Sequence, residues 1–466
     1  MLTFATSTLL FVSCGLFSNE NVTPDNNTVK PFVKSEIQKL YENSFNGKTI
    51  IMNGDTTIEN KPIKLHETPK DTDIKNLLNK DGTFKMVSIG GGLTAGARDG
   101  GLYRNGQLTS FVNLITIQMK TEFKQPLFNE KDFNGFGYKV LSSMSNGVPK
   151  YKTVSNNLAI LKSEPIIELN PFKGEIDNWG VPFMGVWSLR YDRNLTKPSY
   201  IDYANPYKSR ILSNIDKNYG ENNVLYEFQK LRFDFFTLEL GLDDYITGLF
   251  DGKRFSEQVT LSSPAYQEAL AYSKRNNAKG IVLNVPDVFD FPFINWVSLE
   301  NIRKINQSEI YVKATNSTTS TALAVPQGSY LLANSLSDSL LNSNISQSKK
   351  RGLAYNNPLE WKEIYTLDKV NALKTDTKRL NDQLNYDAQN LGYPIVDLYI
   401  IYKKIAFGDY ITNDGLRVNK DIFFTSDGIS PSAFGQAIIA NECIKTINEF
   451  YKTNIPFIIT GFYLNK

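Results

Sequence analysis

Four short apolar runs, each ended by a chain-turning signal, constrain the fold of this chain most. Phe84-Lys85-Met86-Val87-Ser88-Ile89 runs into Gly90-Gly91-Gly92. Residues 233–240 (FDFFTLEL) end at Gly241, and Gly280-Ile281-Val282-Leu283-Asn284-Val285 stops at Pro286-Asp287. Ile395-Val396-Asp397-Leu398 is the fourth. Runs this short are below helix length, and β-branched runs without alternation read as strands buried on both faces of a parallel sheet. Helical patterns lie between them. Leu367, Val370, Leu373, Leu380, Leu384 and Leu391 share one helical face, with Thr366 as N-cap and Gly392 just past the end. Residues 433–451 predict a last helix, with Ala437, Ile438, Ala440, Ile444 and Ile447 at helical spacing. Strands alternating with helices predict an α/β fold with crossover connections. The Ser-, Asn- and Thr-rich residues 306–350 read as an excursion from that core.

Composition excludes several function classes. The 466 residues are 41% hydrophobic and 12% aromatic, enough for a substantial core, so a disordered chain is excluded. The 51 Lys and Arg against 48 Asp and Glu are mixed along the chain, with no basic stripe of the kind nucleic-acid binding requires. Two cysteines, Cys14 and Cys443, make no disulfide framework. A single histidine, His66, excludes metal sites built on several histidines. No metal or other cofactor is expected. A Ser-His-Asp hydrolase would need His66 as its base. Its surroundings, Lys64-Leu65-His66-Glu67-Thr68-Pro69-Lys70, read as exposed loop.

The N-terminus carries an export signature. Residues 2–12 are mostly apolar, and Ser13-Cys14-Gly15 follows. The run is too short for the ~20 residues a membrane span requires and suits a cleaved signal peptide. An apolar run ending at Cys resembles the bacterial lipobox, which makes Cys14 a lipid attachment point. It departs from that pattern in having no Lys or Arg before Lys30. Residues 1–13 are thus expected to be the signal, 14–35 a flexible tether rich in Asn, Thr, Ser and Pro, and 36–80 an N-terminal arm. Within the arm, the β-like run from Lys48 to Asp55 is expected to pack on its own domain, with adding a strand to a partner as the weaker alternative.

Five ordered segments carry a family resemblance across about residues 80–462. The strand and turn Val87-Ser88-Ile89-Gly90-Gly91-Gly92-Leu93-Thr94-Ala95-Gly96 resembles the first block, G-D-S-L-T-A-G, of the SGNH (GDSL) hydrolases. Gly92 stands at the nucleophilic serine. Asp177-Asn178-Trp179-Gly180-Val181-Pro182-Phe183 resembles the second block, with Phe183 at the oxyanion-hole glycine. Glu239-Leu240-Gly241-Leu242-Asp243-Asp244 resembles the third, G-x-N-D, with Asp243 at the Asn position. Asn284-Val285-Pro286-Asp287-Val288 resembles a strand end in the same group. Ser426-Asp427-Gly428-Ile429-Ser430-Pro431-Ser432 resembles the last block, D-G-x-H-P-S, with Ser430 at the His position. The resemblance implies a three-layer α/β/α sandwich, the SGNH-hydrolase (flavodoxin-like) fold, around a mostly parallel five-stranded sheet over residues 81–462.

The same positions imply a degenerate site, with no catalytic residue left in function. Gly92 has no side-chain oxygen to attack an ester. Ser430 cannot take a proton near neutral pH. In a model serine protease, losing triad members costs on the order of 10⁶ in turnover. Asp243 replaces a donor with an acceptor. Asp427 keeps the family carboxylate but has no histidine to orient. Other readings of these residues are structural. Gly92 would exploit glycine's backbone freedom, Ser430 would N-cap the last helix ahead of Pro431, and Asp243 would be a local turn carboxylate. Asp243 and Asp427 as a water-activating pair are a weaker alternative.

The resulting expectation is a pseudoenzyme. The chain would be a cell-surface lipoprotein of the outer membrane serving as a subunit of a secretion, assembly or motility complex. Alternatives are a glycan- or lipid-binding surface lipoprotein using the vestigial pocket, and a residual esterase or GDSL-type lipase. Fold alone does not decide among these.

Overall fold

The computed structural model describes residues 51–145, 147–162, 168–186, 189, 205–212, 223–251, 264–314 and 321–464. The expected signal, Cys14 and the tether lie outside the described residues. The body that begins at Ser35 is the unit described below.

Its centre is a five-stranded sheet of β1 (Met86–Gly90), β2 (Asn178–Gly180), β3 (Phe235–Glu239), β4 (Lys279–Leu283) and β5 (Ile395–Val396). All four pairings are parallel, and the spatial order is β2-β1-β3-β4-β5. Every residue of β1 and β3 is buried, which is why their sequences read as unbroken apolar runs. Neighbouring residues of β3 show what covers each face. The Phe235 ring meets Tyr451 of the helix Ala433–Tyr451. The Phe236 ring, on the other face, meets Tyr393 and Phe233, and Phe233 reaches Tyr272 of the helix Pro264–Arg275. Helices therefore cover both faces, an arrangement compatible with an α/β/α sandwich.

The helices that matter for the site are α1 (Gly92–Ala95), α2 (Phe111–Met119), α3 (Leu242–Asp251), α4 (Pro264–Arg275), α5 (Leu367–Leu391) and α6 (Ala433–Tyr451). Helices α5 and α6 have the predicted bounds. Thr366 occupies the α5 N-cap position, although its hydroxyl makes no capping bond, and Gly392 closes the helix in the left-handed conformation. Val370, Leu373, Leu380 and Leu384 are buried as predicted, while Leu367 stays exposed. Asn381 of α5 clamps the chain after β4 by accepting from the Val285 amide and donating to the Val285 carbonyl, each at 2.8 Å. The α6 N-cap is Ser432, whose hydroxyl accepts from the Gly435 amide at 3.1 Å. Ser430, expected in that role, lies two residues upstream and is bonded elsewhere.

Two peripheral elements complete the body. The strand Ile51–Thr56 pairs in parallel with Val148–Val154 of its own body, so this part of the arm adds its strand at home. The excursion has its own small core, including Val297, Ile302, Ile310, Val312, Leu331, Leu340 and Leu359. It therefore extends beyond residues 306–350 on both sides. Its Ser- and Asn-rich sequence hides these apolar residues among polar ones.

Candidate functional site

The chain passes from β1 to β2 on one side and then crosses to β3 on the other. This reversal of direction makes the carboxyl ends of β1 and β3 a topological switch point, where open α/β sheets place their ligand crevices. The turn after β1 carries Gly90, Gly91 and Gly92, and β3 ends with Glu239 and leads into Asp243. Gly90 pairs with Gly180 of β2 on one side and Glu239 on the other.

This switch point centres on a carboxylate from the chain itself. Asp243 is buried in the first turn of α3. Its Oδ2 accepts from the Gly92 amide at 2.8 Å and from the Phe183 amide at 2.7 Å. These amides come from the turns after β1 and β2. Two convergent main-chain amides make a cradle for negative charge, and Asp243 fills it. Asp243 is therefore a long-range tether, unlike the local turn carboxylate expected from sequence. Phe183 has φ of 65°, in the left-handed region that favours glycine. The next residue, Asp244, pins the same loop by accepting from the Val186 amide at 2.8 Å.

A second buried carboxylate lies beneath it. Glu239 Oε2 accepts from the amides of Gly91 (3.1 Å) and Thr94 (3.3 Å) and from the Thr94 hydroxyl (2.9 Å). Burial, followed by the Asp243 charge, pushes the Glu239 carboxyl up to about 8. Burial pushes Asp243 up to about 6, against the pull of the Gly92 and Phe183 amides. A carboxyl whose folded pKa is raised favours folding in its neutral form, so its contribution is full below the ordinary value near 4.5 and is lost as pH rises through about 8. Thermal melts are expected to show falling stability between pH 5 and 9, with a shallower fall in Glu239→Gln.

Asp427 is fully buried, with all its acceptor capacity facing the protein. Oδ1 accepts from the amides of Ile429 and Ser430, each at 2.8 Å. Oδ2 accepts from the Gly100 amide at 3.0 Å and the Ser430 hydroxyl at 2.8 Å. Ser430 thus serves Asp427 as a short donor. Beside them, Ser426 Oγ donates to Asp99 at 3.3 Å and the Tyr103 hydroxyl donates to it at 2.9 Å. Arg98 Nε donates to that same hydroxyl at 3.0 Å. Burial, reinforced by Asp427, pushes Asp99 up to about 6.

The two halves of the site are thus separate hydrogen-bonded clusters. One joins Gly92, Phe183 and Asp243, and the other joins Asp427 and Ser430. Glu239, Asp244, Asp99 and Arg98 belong to these clusters but were not singled out from sequence. The available signal for Glu239 was an acid closing an otherwise apolar run opposite a glycine turn.

Gly92 has no positive φ, and a Cβ there would meet Ala97 Cβ and both Asp243 oxygens at an ordinary 3.4 Å. Glycine's backbone freedom is therefore unused at position 92. Gly92→Ser is expected to fold with a melting temperature within a few degrees of wild type, as for substitutions without a named destabilising mechanism, and thermal melts check this.

No family model, curated protein or solved structure matches the chain. Among the described residues, no cluster of three or more His, Cys, Asp or Glu side chains is arranged to hold a metal ion. Among them, no helix is long and apolar enough to cross a membrane.

Proposed function

We propose that the chain is a non-catalytic relative of the SGNH hydrolases, retained as an interaction subunit of an outer-membrane complex and anchored there through Cys14. The observation that carries the non-catalytic part is the Asp243 carboxylate bonded to the Gly92 and Phe183 amides. Those residues stand at the family's nucleophile and oxyanion-glycine positions. An ester oxyanion would need the same amides and would meet a like charge there. The absence of one oxyanion donor costs about 10²–10³ in turnover, and here an internal acceptor engages both amides.

Other features point the same way. Gly92 supplies no nucleophile, and the hydroxyl of Ser430 is committed to Asp427. The left-handed backbone of Phe183 suits a position where the family has glycine. The strand order supports the same sandwich. With the Asp243 carboxylate on both amides and the Ser430 hydroxyl committed to Asp427, the lipobox-like Cys14 and the preserved body favour a tethered binding role over a soluble enzyme.

The partner is tested by purifying the full chain from membranes in mild detergent through a C-terminal tag. Outer-membrane proteins recovered in fixed ratio are the expected result. Recovery of the chain alone would contradict the subunit role. Loss of membrane association in Cys14→Ala is the companion result for the anchor.

A further inference from the structure

Residues 58–73 run along the body as a strap held at separated points. The Ile58 amide donates to Asn156 Oδ1 at 2.9 Å, and Asn156 Nδ2 donates back to the Ile58 carbonyl at 2.8 Å. The Ile63 amide donates to Asn105 Oδ1 at 3.2 Å, and Asn105 Nδ2 donates to the Lys61 carbonyl at 2.9 Å. Thr72 Oγ1 donates to the Gln118 carbonyl at 2.7 Å, and Asp73 exchanges main-chain bonds with Asn454. Near the middle lies His66, the only histidine in the chain.

His66 is half-buried here, unlike the exposed loop residue expected from its polar neighbours. Its main-chain amide donates to the Tyr463 hydroxyl at 3.2 Å, and its Nδ1 lies 2.7 Å from the same oxygen. The two rings meet edge to face, with centroids 5.7 Å apart. We propose that His66 is an acid-released latch: the neutral ring fastens the 58–73 strap to the C-terminal turn Thr460–Tyr463, and protonation frees the strap.

A protonated His66 ring would carry a charge without an anionic partner. The Tyr463 hydroxyl already accepts from the His66 amide, so a neutral Nδ1 is well placed to receive its proton. Nε2 is buried with no hydrogen bond of normal geometry, and so is Gln118 Oε1. Among the described residues, no carboxylate lies within ion-pair distance of the ring. The groups around it are Tyr463 from the C-terminal turn, uncharged Gln118 from α2, and the flanking Lys64 and Glu67 of the strap. Tyr463 is pushed up to about 12, so it stays neutral throughout the relevant range. A half-buried imidazolium without an anion is better solvated in water, and undocking the strap takes it there. Burial lowers the His66 pKa, with the Gln118 side chain opposing it less strongly.

The sign is opposite to that of Glu239. The docked ring favours the neutral form, so strap docking is full above the ordinary value of 6.5 and weakens as pH falls below it. Opening is expected to rise about tenfold per pH unit in that window, until the docked ring itself titrates. The buried carboxyls, several of them raised, dominate global melting with the opposite sign, so the latch must be tested locally.

The experiment uses the full chain. Its single histidine gives one ring resonance to follow by NMR titration, and hydrogen exchange is measured at pH 7.5 and 5.0 with intrinsic rates corrected. The expected result is a ring midpoint below 6.5, with protection of residues 58–73 lost in acid and protection of β1 unchanged. In His66→Gln, strap protection should no longer depend on pH. The latch is overturned by a ring that titrates at or above 6.5, by strap protection indifferent to ring protonation, or by an equal acid loss in His66→Gln.

Discussion

Gly180→Ala is expected to destabilise the fold by about 3 kcal/mol or more, in line with overpacking of a rigid site. A Cβ at Gly180 would stand 2.4 Å from the Ala95 nitrogen, 2.7 Å from the Thr94 carbonyl carbon and 2.8 Å from the Ala95 Cα. All three are main-chain atoms, so no side chain can swing aside. Relief requires β2 to move away from α1. That movement would break the Ser88–Asn178–Gly180 register, and it would disturb the Asn178 carboxamide, which bonds the Ser88 hydroxyl, the Thr94 carbonyl and the Gly180 amide. The contrast is Gly92→Ala, whose Cβ finds ordinary contacts only. Denaturant titration of both variants is the check. A large loss for Gly180→Ala and a small one for Gly92→Ala are expected.

Asp243→Ala is the second large effect. It leaves the Gly92 and Phe183 amides without their acceptor. An orphaned buried donor costs about 1–3 kcal/mol, so two give a loss of about 2–6 kcal/mol. Asp243→Asn keeps an acceptor oxygen and is expected to lose less. The cradle opened in Asp243→Ala is the size of a carboxylate. Formate is therefore expected to raise the melting temperature of Asp243→Ala and leave wild type unchanged, with chloride as the control. Equal responses of the two proteins to formate would show that the amides do not form an anion cradle.

The strand–helix alternation was legible because burial on both faces leaves a continuous apolar run, as in Val87, Ile89, Phe235 and Leu238. The bounds of α5 and α6 were legible for a local reason: the left-handed Gly392 and the helical spacing of Leu373, Leu380 and Leu384 in α5, and of Ala437, Ile444 and Ile447 in α6, are short-range signals. The site was less legible because its bonds are long-range. Asp243 reaches Gly92 and Phe183 across 151 and 60 residues, and nothing local announces such a partner. Ser430 looked like a cap because Pro431 follows it, yet Asp427 three residues earlier claims its hydroxyl and Ser432 takes the cap. His66 looked exposed because its neighbours are polar, while Tyr463, 397 residues away, half-buries it. The excursion escaped its sequence bounds because its core uses isolated apolar residues, such as Val297 and Leu359, outside the polar stretch.

The most direct test of a switch point occupied by the chain's own carboxylates is hydrolysis of a short-chain p-nitrophenyl ester by wild type, with Asp427→Ala measured beside it. The predicted result is a rate equal to the buffer blank for both proteins. Turnover by wild type that disappears in Asp427→Ala would contradict the account.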